Sequence, residues 1–131
     1  MTKIVSEIIE LIANKTWPDF APAFHANIGY CLKKNGFDVS FEFSVRRVNG
    51  RRGRIDLVAT KAGESVAIEF DNKMPRIGSL EKLRLFQGSR MVILREGEQM
   101  NVEGIDAVVA VRVRPVTPAE HADRRTVRRY A

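Results

Sequence analysis

The sequence predicts one α/β domain in which a mixed central sheet is flanked by helices, with the elements in the order ααβββαββ. Two observations carry this. The apolar residues recur at helical spacing over the first third of the chain, switch to a period of two from Val39, and return to helical spacing between two apolar runs. The chain has 131 residues, 44% of them hydrophobic, which suffices for one core and is close to the commonest size of an independent domain. Residues 1–114 form the expected domain, and 115–131 are a basic tail, helical or disordered, containing Arg124, Arg125, Arg128 and Arg129.

Ile4, Ile8, Leu11 and Ile12 lie on one face of a helix over residues 3–14 behind a Thr2 cap, and Trp17-Pro18 breaks it. Phe24, Ile28, Cys31 and Leu32 repeat the pattern on a helix that begins near Pro22 and stops at Asn35-Gly36. Val39, Phe41, Phe43 and Val45 alternate with polar residues, so these four apolar side chains share the buried face of a strand. Asn49-Gly50 turns the chain into a returning strand, Ile55–Ala59, and Ala62-Gly63 turns it again into Val66–Phe70. Ser79 caps a helix carrying Leu80, Leu83 and Phe86, Met91–Leu94 is a buried strand, and Ala107–Val113 supplies a fifth.

A single cysteine, Cys31, excludes an intramolecular disulfide, and no Cys/His cluster has zinc-site spacing. No run approaches the roughly 18 apolar residues of a membrane span, so no membrane is expected as a partner and the expected compartment is the cytoplasm. Lys and Arg number 22 against 16 Asp and Glu, a net charge of +6, which favours a polyanionic partner, nucleic acid first.

Two carboxylates interrupt apolar strands: Asp56 in Arg54-Ile55-Asp56-Leu57-Val58, and Glu69 in Val66-Ala67-Ile68-Glu69-Phe70-Asp71. Each is costly to bury unpaired. Neighbouring strands that bring two acids together form a site for a hard divalent cation, for which Mg2+ is the expected occupant and Mn2+ its substitute. The competing reading is a set of structural ion pairs with Arg54, Lys73 or Lys82.

These two segments resemble those of the PD-(D/E)xK nuclease superfamily, which places an acid on one strand and a Glu or Asp, one spacer and a Lys on the next. The resemblance implies a restriction-endonuclease-like fold and a metal-dependent DNA endonuclease hydrolysing phosphodiester bonds. It implies catalytic roles for Asp56, Glu69, Asp71 and Lys73, with Asp56, Glu69 and Asp71 as metal ligands. One position departs from the pattern, since Asp71 stands where the family has Lys. Either Lys73, two residues on, has taken over that role, or Asp71 binds a second metal, or the chain is inactive. The family's helix glutamate has no counterpart here, and His25 is the nearest polar candidate for an accessory role, a capping or partly exposed histidine being the alternative. Glu42, on the polar face of the first strand, either pairs with an Arg or contributes to the site.

Arg46, Arg47, Arg51, Arg52 and Arg54 crowd five guanidinium groups into nine residues around the first hairpin, where they are expected to contact DNA phosphates. The alternative to a nuclease is a catalytically inactive DNA-binding or protein-interaction module on the same fold. Family members that cut both strands often act as paired subunits, so a homodimer is compatible with this reading. An RNA-binding domain is the weakest reading, because Phe41 and Phe43 are expected in the core rather than exposed for base stacking.

Overall fold

The computed structural model describes residues 2–47 and 49–122. Helix α1 (Lys3–Ala13) and helix α2 (Ala21–Lys34) form where the helical period predicts them. The end of α2 is fixed by Asn35, whose N–H donates to the Leu32 carbonyl at 3.0 Å, and by Gly36, whose N–H donates to the Lys33 carbonyl at 3.1 Å and whose φ of 90° is a left-handed conformation that glycine adopts without steric cost. Between the helices, Thr16–Pro18 forms a short strand, β1, where the sequence predicts only a helix break.

The hairpin strands are β2 (Asp38–Arg46) and β3 (Arg52–Lys61), followed by β4 (Glu64–Asp71), helix α3 (Ile77–Arg84), and strands β5 (Ser89–Leu94) and β6 (Ala107–Ala110). The five strands form one mixed sheet in the order β2-β3-β4-β5-β6, antiparallel as far as β4 and parallel beyond it. The parallel step from β4 to β5 is bridged by α3, as a parallel pair requires. The apolar run 107–113 is two strands rather than one. After Ala110 the chain leaves the sheet, and β7 (Arg112–Arg114) pairs in parallel with β1.

Two cores sit on the two faces of the sheet. On one, α1 and α2 bury Ile4, Ile8, Phe24, Ile28 and Leu32 against Leu57, Ile68, Met91 and Ile93. On the other, Leu83 and Phe86 pack on Ile55, Val58, Ala67, Val92 and Leu94. Ile55 and Leu57 therefore lie on opposite faces although they are two residues apart. The same happens on β2: Val39 and Phe41 pack in the first core, whereas Val45 packs in the second and Phe43 meets Phe86 edge-on with centroids 5.8 Å apart.

The expectation that Val39, Phe41, Phe43 and Val45 share one face is thus corrected. The reason is Glu42, whose φ of 55° breaks the alternation at the position that stands across from Asp56.

Beyond β7, helix α4 (Pro118–Ala122) begins with a reciprocal cap: Glu120 N–H donates to Thr117 Oγ1 at 3.1 Å, and Thr117 N–H donates to Glu120 Oε1 at 2.9 Å. Glu120 also takes two 2.8 Å bonds from Arg114, which hold its carboxyl down at about 2, and His121 stacks on Phe20. The start of the basic tail is therefore folded back on the domain. The arginines at 124, 125, 128 and 129 lie outside the described residues. Among the described residues, no helix is long and apolar enough to cross a membrane.

The left-handed Glu42 gives a direct test of the strand flip. Glu42→Val should lower stability by about 1–2 kcal/mol despite the better β propensity of valine, because a β-branched residue resists positive φ. Glu42→Gly should stay within about 1 kcal/mol of the parent, since relieved strain offsets the entropy of glycine. Urea midpoints of the two variants measure this, and a Glu42→Val protein as stable as the parent would contradict the flip.

Candidate functional site

The site forms where β3 and β4 part. Their ladder runs from Lys61↔Glu64 to Leu57↔Ile68 and would next pair Asp56 with Glu69. Instead the two side chains take over the backbone's bonds. Asp56 N–H donates to Glu69 Oε2 at 2.7 Å, and Phe70 N–H donates to Asp56 Oδ2 at 2.9 Å. Each carboxylate thereby satisfies an amide that the open ladder would leave without an acceptor.

Glu69 is wholly buried, with 0% of its surface exposed. Lys82 reaches it from α3, its Nζ 2.7 Å from Glu69 Oε1 and 2.8 Å from the Arg54 carbonyl, to which it donates. The approach to Oε1 is an ionic contact without hydrogen-bond alignment, so this oxygen is buried and has no hydrogen bond. Gly53 makes room for the lysine stem: a methyl group there would stand 3.2 Å from Lys82 Cδ and 3.1 Å from the Arg47 side chain.

One ammonium cannot offset two carboxylates. Burial first, and then the Glu69 charge, push Asp56 up to about 7, against the Phe70 N–H and Lys82, which lower it.

The structure brings Asp56 and Glu69 together, as the sequence predicts, and gives Asp71 a different setting. Asp71 is buried beside α3. Its Oδ1 accepts from Arg76 Nε at 2.6 Å and from Ser79 Oγ at 3.1 Å, and its Oδ2 accepts from Arg76 N–H at 3.1 Å. It anchors the start of α3. Ser79 is correspondingly not the helix cap; that position is Arg76, and Ser79 sits inside the first turn with its hydroxyl committed to Asp71.

Lys73 lies on the exposed loop after β4 rather than on a continued strand, because β4 ends at Asp71. Among the described residues, no three His, Cys, Asp or Glu side chains converge on a metal-sized position.

The cation at the acid pair is therefore Lys82, which the sequence offers only as a partner in a structural ion pair. A signal was present. Ser79, Lys82, Leu83 and Phe86 follow i, i+3, i+4, i+7 spacing, which makes Lys82 a charged residue in the sheet-facing stripe of α3.

His25, the accessory candidate, stacks on Phe70 with centroids 4.4 Å apart, at a cleft of about 390 Å³ beyond the end of β4 that Lys73, Arg76 and Arg95 also line. Burial, then Arg95 and Arg76, depress its pKa to about 4, so it is neutral at pH 7. Glu42 stands opposite Asp56 on β2, and among the described residues it makes no ion pair with an arginine. Of the hairpin arginines, Arg46, Arg51, Arg52 and Arg54 are exposed, and Arg47 pairs with Glu81 at 2.9 Å.

Asp56 and His25 impose opposite pH dependences. The raised Asp56 contributes stability that is complete below about pH 4 and is lost as pH rises to about 7. The depressed His25 does the reverse: its contribution is complete above about 6.5 and is lost as pH falls to about 4, on the order of 3 kcal/mol. In chelator-containing buffer, the melting temperature of Asp56→Asn relative to the parent should therefore rise between pH 4 and 7, and that of His25→Gln should fall. Parallel profiles for the parent and both variants would refute the two assignments.

Compared with known proteins, the chain matches no family model and no curated protein.

Proposed function

We propose that the chain is a metal-dependent DNA endonuclease that hydrolyses phosphodiester bonds on a restriction-endonuclease-like fold. The observation that carries this reading is the Asp56–Glu69 pair in the opening between β3 and β4, with a buried, hydrogen-bond-free Glu69 oxygen and Lys82 beside it. The antiparallel β2-β3-β4 meander followed by a helical crossover to parallel β5 supports the fold assignment.

The donor set fits Mg2+ or Mn2+: two hard carboxylates, one with an oxygen lacking any hydrogen bond and the other raised by crowding that a cation would relieve. When bound, such an ion supplies charge for the phosphate and a more acidic water at neutral pH. Asp56 and Glu69 hold it. Lys82 keeps a positive charge at the pair, where it offsets charge on the phosphate, the role the resemblance gives to the lysine missing at position 71. Lys73 competes for that role from the loop, and Asp71 acts by fixing α3, and with it Lys82, over the strands.

The exposed hairpin arginines contact DNA phosphates, and a homodimer would supply a second cutting centre. The cytoplasm, reducing and containing DNA, is the proposed compartment.

One observation favours the second reading, an inactive DNA-binding or protein-interaction module on the same fold: no third acidic or histidine ligand joins the pair among the described residues.

Calorimetric titration with Mn2+ and cleavage of supercoiled DNA separate the two. Asp56→Asn and Glu69→Gln should abolish divalent-ion binding and cleavage, with DNA affinity equal or higher because negative charge facing phosphate is removed. Lys82→Met should slow cleavage by about 100-fold with metal binding retained, and Lys73→Met by much less. No metal binding, together with no cleavage of linear, supercoiled, branched or single-stranded DNA, decides for the inactive module. Replacing Arg51 and Arg52 together with Ala should flatten the logarithmic salt dependence of DNA binding by about two units, roughly one per lost phosphate contact. An unchanged slope removes the hairpin from the DNA surface.

A further inference from the structure

Met74 and Ile77 are 62% and 77% exposed, and with Phe43 they are the exposed large hydrophobics among the described residues. Both belong to Lys73-Met74-Pro75-Arg76-Ile77, the passage from β4 into α3.

This passage is tied down at several points. Asp71 takes both the backbone N–H and Nε of Arg76, and Glu96 N–H donates to the Asn72 carbonyl at 2.9 Å. Pro75 restricts the backbone between Met74 and Arg76. Gly97 lies so close to the Lys73 carbonyl that a methyl group would collide with it. Two apolar side chains are thus presented to solvent on a segment tied to its neighbours at Asn72, Lys73 and Arg76, which favours a preorganised contact surface.

The surroundings identify the partner by charge. Lys73, Arg76 and Arg95 line the adjoining cleft. The Arg76 side chain is 73% exposed although its Nε is tied to Asp71. Arg95 stays 3.5 Å from Asp19. A protein partner would have to combine an acidic rim with an apolar centre, whereas a nucleic acid offers both wherever a base leaves the stack, with its apolar face beside its own phosphates. Methionine, isoleucine and proline are among the side chains that part base steps.

We propose that Met74 and Ile77 form a wedge that enters an interrupted base stack at the passage from β4 into α3 while Lys73, Arg76 and Arg95 hold the flanking phosphates. The preferred substrate is then DNA with a nick, an end or a branch, rather than continuous duplex. This rests on the nucleic-acid reading above and adds its substrate class.

The test uses the full chain in chelator, so that it is independent of cleavage. Affinities are measured for a continuous duplex and for the same duplex with one nick and 2-aminopurine at the nick. The parent should bind the nicked DNA at least about tenfold more tightly and raise the 2-aminopurine fluorescence as the base unstacks. Met74→Ser/Ile77→Ser should bring the two affinities within about twofold and remove the fluorescence change. Its fold should be retained, because both side chains are exposed. Lys73→Ala and Arg95→Ala should weaken binding to both DNAs and reduce the salt slope.

Equal, measurable binding of both DNAs by the parent overturns the wedge and leaves the nucleic-acid reading standing. Binding of neither overturns both. A double variant that keeps the nick preference but changes from dimer to monomer in sedimentation assigns the pair to a subunit interface and overturns the wedge.

Discussion

Two backbone amides govern the centre of this protein. Where β3 and β4 separate, Asp56 N–H and Phe70 N–H face an opening in the sheet and must find acceptors, because an unpaired buried amide costs about 1–3 kcal/mol. Carboxylates from the opposite strands provide them. This exchange explains why acids occupy the middle of two apolar strands: a hydrophobic residue at either position would close the opening or leave an amide without a partner. Charge-assisted bonds of this kind contribute about 1.5–3 kcal/mol each, which does not cover the several kcal/mol needed to desolvate each ion. The deficit appears as the displaced pKa of Asp56.

The parts around the opening follow from it. Lys82 must cross the sheet face to reach Glu69, and it does so over Gly53, where any side chain would crowd its stem. The helix that carries Lys82 must in turn keep its register on the sheet, and Asp71 provides this by binding Arg76 and Ser79 at the helix start. Asp71 thus supports Lys82 through the helix that both touch. Glu42 belongs to the same arrangement. Its left-handed backbone flips β2 opposite Asp56, so that Phe43 and Val45 cover the α3 side of the opening while Phe41 stays with the first core.

The element order and the meeting of Asp56 and Glu69 were legible in the sequence because both rest on local signals: hydrophobic period, turn residues and short connections that force adjacent strands together. What was not legible depended on long-range geometry. β1 is three residues long and exists through pairing with Arg112–Arg114, nearly a hundred positions away, so no local pattern marks it. The flip at Glu42 leaves the alternating sequence intact and reverses only the backbone, which period counting cannot detect. The resemblance makes Asp71 a ligand, whereas its engagement by Arg76 and Ser79 depends on the loop after β4 folding back. Lys82 was recoverable in principle, since its spacing with Ser79, Leu83 and Phe86 already placed a charge toward the sheet.

The electrostatics divide sharply across Phe70. On one side, Asp56 and Glu69 crowd negative charge into the sheet opening until one of them resists ionisation near neutral pH. On the other, His25 stacks on the Phe70 ring and is held neutral, its pKa lowered first by burial and then by Arg95 and Arg76, which line the same cleft. A pocket meant only to stabilise the fold would place these charges against each other, as Arg76 and Asp71 are placed. Here one ammonium, that of Lys82, faces two carboxylates at the opening, while at the rim Lys73 and most of the Arg76 side chain stay exposed to solvent. On the reading proposed above, a phosphodiester accompanied by a divalent cation would offer its anion to the rim and its cation to the acids.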